Sequence, residues 1–241
     1  MTTVDERIAD GMRAQLALRR ERLGAGDRAL GWKVGFGSAA AQEKLGTDRP
    51  LVGFLIESNR LPDGAEVSLD GWAKPALEPE IAVHIGQDVP SGASADTIRA
   101  AVAGLSAAIE LVDVSPPPSD VRAILAGNIF HRHVVLGPVR EGWTAPGDLT
   151  GAALVDGVEV AATDDVTALT GDTVEVLRLT AELLDACGEQ LRAGDVVITG
   201  SVVPPVQLVA GHTVAVDLGL LGKLSVSLQQ VRRSAVSAGP G

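Results

Sequence analysis

Tyrosine is absent from the 241 residues, and only six aromatic side chains occur: Trp32, Phe36, Phe54, Trp72, Phe130 and Trp143. A core must therefore be assembled from Val, Leu, Ile and Ala, and the aromatic platforms on which single-stranded nucleic acid stacks are missing. Positive charge is scarce as well. Twenty Lys and Arg stand against 31 Asp and Glu, a formal net charge of −11, and the basic residues are scattered rather than gathered into a stripe. Both features argue against a nucleic-acid partner. The single cysteine, Cys187, cannot close an internal disulfide, and the opening "MTTVDERIADGMR" carries charge where a signal peptide carries apolar residues. The expected location is the cytoplasm. Long apolar runs are lacking too, so no helix is expected to cross a bilayer. The length admits one large domain, or a small helical entry piece and a main domain, with most apolar surface buried.

Local signals are clearest at the start. Thr3 followed by Glu6 fits a capping box, and Val4, Ile8, Met12 and Leu16 recur every four residues, which predicts an amphipathic helix to about Leu23. "SAAAQEKLG" predicts a second helix, with Ser38 as its N-cap and Gly46 just past its end. The strand "LVGFLIE" follows. From there the pattern is mostly β: "LEPEIAVHIG" and "SAAIELVDV" flank a helix-like "DTIRAAVAG", and "GAALVDGVEVAA" reads as a hairpin turning at Asp156 and Gly157. A further helix is expected from Thr173 to Cys187, capped by Asp172 and closed by Gly188, with Val174, Leu177, Ala181 and Leu184 on its apolar face. "DVVITG", "HTVAVDLG" and "GKLSVSL" end the ordered chain as strands, and "SAVSAGPG" reads as a disordered tail. The expected division is a helical segment over 1–55, a β-rich metal-binding domain over 56–232 and the tail over 233–241. Helices first and strands afterwards make an α+β fold, since the regular β/α alternation of a doubly wound sheet is missing.

Glu78 and Glu80 lie two apart in the apolar run "ALEPEIAVHIG". On a strand, Glu78, Glu80, Ala82 and His84 share one face while Leu77, Ile81, Val83 and Ile85 share the other. Same-face neighbours are about 7 Å apart, a gap two flexible glutamates can close around one ion. Glu110 sits in a second apolar strand, where an unpaired buried carboxylate costs several kcal/mol. Three glutamates without a cysteine or histidine cluster suit a hard cation, Mg²⁺ or Mn²⁺, better than zinc. The ordinary alternative for an E-x-E pair is a solvated strand face. His84 is a candidate fourth ligand or supporting residue, and His131 with His133 can face one site, although an exposed strand end explains that pair equally well. Lys33, between Trp32 and Val34 and followed by Gly35 and Gly37, stands in apolar surroundings that favour proton transfer, or else on a surface strand end.

Other chemistries find less support. "GFGSAA" matches G-x-G-x-x-A and Glu57 lies twenty residues past Gly37, as in a dinucleotide fingerprint, but the helix is short and no βαβ series follows. No G-x-S-x-G occurs, and Cys187 falls inside a predicted amphipathic helix, where it reads as core.

Taken in order, "GWKVGFGSAAAQEKLG", "LVGFL", "PALEPEIAVHIG", "AAIELVD", "LRAGDVVITGS" and "AGHTVAVDLGLLGKLSVSL" resemble the 2-keto-4-pentenoate hydratase and 4-oxalocrotonate decarboxylase group of the fumarylacetoacetate hydrolase superfamily, over roughly residues 30 to 228. The resemblance implies a mixed β-roll or barrel-like sheet and a divalent cation held by Glu78, Glu80 and Glu110. It further implies that Lys33 and Gly35 form the family's K-x-G, with Lys33 catalytic. Gly200 and Ser201 correspond to a turn that helps hold the substrate carboxylate, and Asn128 remains from a segment that reads "ADNAS" in the family and "AGNIF" here. Two acids are replaced: Gly127 stands in that segment, and Leu51 stands where hydratases carry Asp and decarboxylases an aliphatic residue. The implied activity is hydration of a 2-hydroxy-2,4-dienoate to a 4-hydroxy-2-oxo acid. Decarboxylation of a 4-oxalocrotonate-like diacid and C–C hydrolysis of a diketo acid remain open, as does a non-catalytic paralogue in a hydratase and decarboxylase assembly. A homo-oligomer is implied.

Overall fold

The computed structural model describes residues 4–115, 119–142 and 149–230. Thr3, Trp143 and the expected tail lie outside them. Helix α1 spans Glu6–Gly24 and is capped by Asp5, whose carboxylate accepts from the Arg7 backbone N–H at 2.8 Å. The cap thus falls two residues later than the Thr3 box predicts. Ile8, Met12 and Leu16 are buried on one stripe as their spacing requires. Gln15, also buried, donates its amide to the carbonyls of Val52 (3.1 Å) and Leu125 (3.0 Å). Helix α2, Ala39–Leu45, begins and ends where expected, with Ser38 accepting from Ala41 N–H at 3.2 Å and Gly46 left-handed at φ 63°.

Among the described residues, nine strands form the larger sheet. β1 (Ala29–Gly35), β2 (Leu51–Ile56), β3 (Arg60–Leu61), β5 (Pro75–Ile85), β6 (Val102–Asp113), β7 (His131–Leu136) and β11 (Val196–Ser201) run in the order β2-β1-β11-β5-β6-β7-β3. β12 (Val206–Gln207) and β8 (Arg140–Glu141) pair with β5 and β6. β2 passes through the single 3₁₀ turn Glu57–Asn59 directly into β3, at the opposite end of that order. Three residues can bridge the two ends only if the sheet curls round. Leu30, Leu55, Ala82, Ala108, Val134, Val196 and Ile198 come from six different strands and pack in one small cluster, which fills the inside of the curl. The smaller sheet, in the order β10-β9-β13-β14-β4, comprises β4 (Ala65–Val67), β9 (Gly151–Val155), β10 (Val158–Thr163), β13 (Thr213–Asp217) and β14 (Lys223–Leu228). The main core lies against the outer face of the curl and takes Leu77, Ile81, Val83 and Ile85 from β5.

Asp156 (φ 49°) and Gly157 (φ 80°) make the expected hairpin between β9 and β10, and α5, Thr173–Ala186, buries Val174, Leu177, Ala181 and Leu184. Two expectations shift. Helix α3, Ala95–Ala101, stops before Val102, which turns extended and pairs with Ile85 as the first residue of β6. The helical entry ends at Gly24: residue 55 lies within β2, and β1 and β2 belong to the larger sheet. Helix α4, Val121–Ala126, is an element the sequence patterns do not announce; it packs on α1, where a Cβ on Gly11 would come within 2.7 Å of Leu125 Cβ. Among the described residues, no helix is long and apolar enough to cross a membrane.

Candidate metal centre and active site

β5 and β6 are antiparallel with Glu78 opposite Glu110 and Glu80 opposite Ala108. The two-residue period puts Glu80 beside Ala82 and Glu110 beside Ala108, on the inside of the curl. One oxygen of each of Glu78, Glu80 and Glu110 lies within 4.8 Å of the others, the one such cluster among the described residues. Glu80 and Glu110 are both 0% exposed, and Glu78 is half-buried. The Gly200 amide donates to Glu80 Oε2 at 2.7 Å. Lys33 Nζ donates to Glu110 Oε1, and His131 Nδ1 approaches the same oxygen at 2.6 Å. Glu80 Oε1 and Glu110 Oε2 are buried without a hydrogen-bond partner among the described residues. Orphaned carboxylate oxygens are costly, and two of them beside a third glutamate form a donor set that a hard divalent cation fits.

The charges separate along the same lines. Burial, reinforced by the Glu110 charge, pushes Glu78 up to about 7. Glu80 is raised as well, by burial first and then by Glu110 and Glu78. Burial acts the same way on Glu110, but Lys33 and the His131 hydrogen bond outweigh it and hold this carboxyl below its usual range. Lys33 is 2% exposed and donates also to the Ile129 carbonyl at 3.1 Å, so it is ion-paired rather than set in a purely apolar pocket. Burial favours neutral His131; its contact with Glu110 assigns the proton to Nδ1 and leaves Nε2 without a partner. One ammonium against three carboxylates leaves the cluster short of positive charge.

Above the cluster opens a cleft of about 320 Å³, at the small end of the range for small-molecule sites, with Lys33 and Glu78 in its lining. One wall is a backbone anomaly. Asn128 (φ 52°), Ile129 (φ 51°) and Phe130 (φ 63°) are consecutively left-handed, and Phe36 (φ 57°), also in the cleft lining, is left-handed too. For side chains of this bulk such a conformation costs roughly 1–3 kcal/mol each and persists only when its surroundings impose it. Asn128 imposes it here: its Oδ1 accepts from Phe54 N–H at 2.8 Å and its Nδ2 donates to Phe54 O at 3.0 Å. Gly53 makes room, since a Cβ there would come within 2.8 Å of both Asn128 Oδ1 and Lys33 Cγ.

The expected residues divide accordingly. Glu78, Glu80, Glu110, Lys33 and His131 converge. Gly35 and Ser201 line the cleft, and a Cβ on Gly35 would meet Ile129 Cγ2 at 3.0 Å. Gly200 lines it too, but its amide is spent on Glu80. Asn128 does not line the cleft; both ends of its amide are taken by Phe54. His84 lies four residues, about 13 Å, along β5 from Glu80 and bonds Ser106 Oγ at 2.8 Å, so it supports no ligand. His133 stacks on Trp72. Leu51 is fully buried in the main core, and Gly127 caps α4. "GFGSAA" carries no dinucleotide fold, because α2 connects β1 to an antiparallel β2. Phe36, Ile129 and Phe130 carry no motif that marks them as site residues. The only trace of the wall is the Gly53 that interrupts an otherwise apolar strand.

The fumarylacetoacetate (FAA) hydrolase C-terminal family matches residues 28–229. A 2-keto-4-pentenoate hydratase of Burkholderia vietnamiensis (strain G4 / LMG 22486) is 34% identical over 212 residues, 85% of this chain and 80% of the relative. 2-Keto-4-pentenoate hydratase 1 of Dechloromonas aromatica (strain RCB) is 31% identical over 214 residues, 86% and 80% of the two chains. The solved 4-oxalocrotonate decarboxylase from Pseudomonas putida G7, complexed with magnesium and adipate, is similar in fold, with a TM-score of 0.85 over 92% of this chain and 86% of that one at 24% identity. With its curled sheet, its buried carboxylates and a match over most of its length, the chain belongs to the fumarylacetoacetate hydrolase family.

Proposed function

We propose that this enzyme is a divalent-metal-dependent hydratase that adds water to a 2-hydroxy-2,4-dienoate, a 2-keto-4-pentenoate-like acid, to give a 4-hydroxy-2-oxo acid. The observation that carries the reading is the convergence of Glu78, Glu80 and Glu110 next to an ion-paired Lys33 beneath a small cleft. The two curated hydratases support it by their names. Mg²⁺ or Mn²⁺ suits the all-oxygen donor set. When bound, the cation would supply Lewis-acid stabilisation of negative charge on the substrate's 1-carboxylate and 2-oxygen.

The chain's own groups do the rest. Gly200 fixes the Glu80 carboxylate with Oε1 free. His131 and Lys33 keep Glu110 ionised. Lys33 has three N–H donors; Glu110 and Ile129 take two, and the third serves the cleft that Lys33 lines. Lys33 Nζ therefore holds and moves a proton at the substrate. In the balanced reaction the 2-hydroxyl proton leaves and a proton adds at C5; the oxygen of water then bonds to C4 as water gives up one proton, and a proton is taken up at C3, so two protons are released and two are gained. The test follows the ultraviolet absorbance of 2-hydroxypenta-2,4-dienoate with Mg²⁺ and then with excess chelator. Metal-dependent loss above spontaneous ketonisation, with the 4-hydroxy-2-oxo acid as product, is expected. Loss at the background rate overturns the reading. Decarboxylation of a 4-oxalocrotonate-like diacid is the second reading, favoured by the aliphatic Leu51, and carbon dioxide release from such a diacid would bring it forward.

A further inference from the structure

The chemistry of the cleft's lining distinguishes between substrates that share a 2-oxo acid head. Among its described lining residues there is no arginine and no histidine, and the single lysine, Lys33, is held by Glu110. Hydroxyl groups add little donor capacity. Thr170 Oγ1 donates to Val166 O at 3.1 Å, Thr199 Oγ1 to Ile81 O at 3.1 Å and Ser201 Oγ to Val203 O at 2.6 Å. Those three oxygens are left as acceptors, which repel a carboxylate. Ser38 Oγ accepts from Ala41 N–H as the cap of α2, which leaves its own O–H as a single neutral donor, too little to balance the charge of a buried carboxylate. The remaining wall is apolar: Phe36, Val112, Val114, Ile129, Phe130 and Leu169.

We infer that the cleft selects 2-oxo acids and dienols whose distal end is an alkyl or other apolar group, and rejects those that end in a second carboxylate. The inference rests on the 2-oxo acid reading above and narrows it. A distal carboxylate would be desolvated against the wall without a cation or an adequate set of donors, whereas an apolar tail gains from every buried methylene. Ile129 and Phe130 are the specificity-determining residues. They reach the cleft because the left-handed turn Asn128–Phe130 is clamped to Phe54, which makes the apolar wall a feature of the backbone as well as of side-chain composition.

The test compares two unreactive ligands of equal length, 2-oxohexanoate and 2-oxoadipate, which differ only in a methyl or a carboxylate at the far end. Titration calorimetry on the full chain with saturating Mg²⁺ should find 2-oxohexanoate at least about tenfold tighter. Phe130→Arg, which places a cation in the apolar wall, should raise affinity for 2-oxoadipate and lower it for 2-oxohexanoate. Val114→Arg, just past the end of β6, provides the same test from a different segment if the first variant fails to fold. Equal or tighter binding of 2-oxoadipate by the unaltered protein overturns the inference, even where the dienol is hydrated. If the preference is found and no dienol is hydrated, the inference stands and the reaction assignment falls. If neither acid binds, both fall together.

Discussion

Metal affinity should fall steeply with acid, because burial raises two of the three converging glutamates, Glu78 and Glu80, toward the protonated form. Glu78 is pushed up to about 7, by burial and by the Glu110 charge. A cation binds only the ionised carboxylate, so each bound ion displaces a proton from this group at any pH below that value. Going from pH 8 to pH 5, titration of Glu78 alone should weaken apparent binding by about 100-fold, one factor of ten per unit below its pKa. Glu80, also raised, steepens the dependence further. Stability of the metal-free protein runs the other way. A carboxyl whose folded pKa is raised stabilises the fold fully below its unfolded value near 4.5, and that contribution is lost as pH rises through about 7. The loss is on the order of 3 kcal/mol for Glu78, from a shift of roughly two and a half units. Chelated protein should therefore melt higher at pH 5.5 than at pH 8 as far as this group is concerned, and added Mn²⁺ should raise Tm most at pH 8. Glu110 does not reverse the trend in this window, since a depressed carboxyl loses its contribution only below its unfolded value. The assay is Mn²⁺ titration by electron spin resonance between pH 5 and 8, with proton release read by calorimetry in buffers of different ionisation enthalpy. Flat affinity and no proton release would refute the buried-carboxylate account.

Glu80→Ala should abolish Mn²⁺ binding measured in the same titration, since it removes one orphaned oxygen and the carboxylate that Gly200 orients; unchanged affinity would remove Glu80 from the site. Lys33→Ala should leave Mn²⁺ binding intact at pH 8, where His131 still bonds Glu110, while dienol turnover falls by at least about 100-fold. Full activity in that variant would take the lysine out of the reaction. Asn128→Ala removes both hydrogen bonds that clamp the left-handed turn, and a destabilisation of about 2–4 kcal/mol is expected by chemical denaturation; a loss below 0.5 kcal/mol would mean the turn holds itself.

The parts of this site that were legible in advance are those written in short-range periodicity. Glu78 and Glu80 share a face because a strand repeats every two residues, and that holds whatever β5 packs against. Ser38, Gly46 and Asp172 cap their helices through bonds within three or four residues. His84 and His131 show where the signal ends. Both stand on strands next to a candidate glutamate strand, and nothing local ranks one above the other. A register shift between β6 and β7, falling between Leu111 and Val112, accompanies the approach of His131 Nδ1 to Glu110, 21 residues away in the chain, while His84 runs along β5 to Ser106. Register is set by pairing with another strand and is invisible in either strand alone. The turn Asn128–Phe130 is further still from legibility, since Ile and Phe are among the side chains least expected at positive φ, and only the distant Phe54 backbone makes the conformation tolerable. The boundary at residue 55 fails for the same reason: β1 and β2 look like the end of a helical segment until their partners, β11 above all, are known. The carboxylates that would take a cation can thus be found from pattern, whereas the wall that would choose the substrate depends on long-range contacts. It follows that sequence motif alone should separate metal-binding members of this family from others better than it separates their substrates.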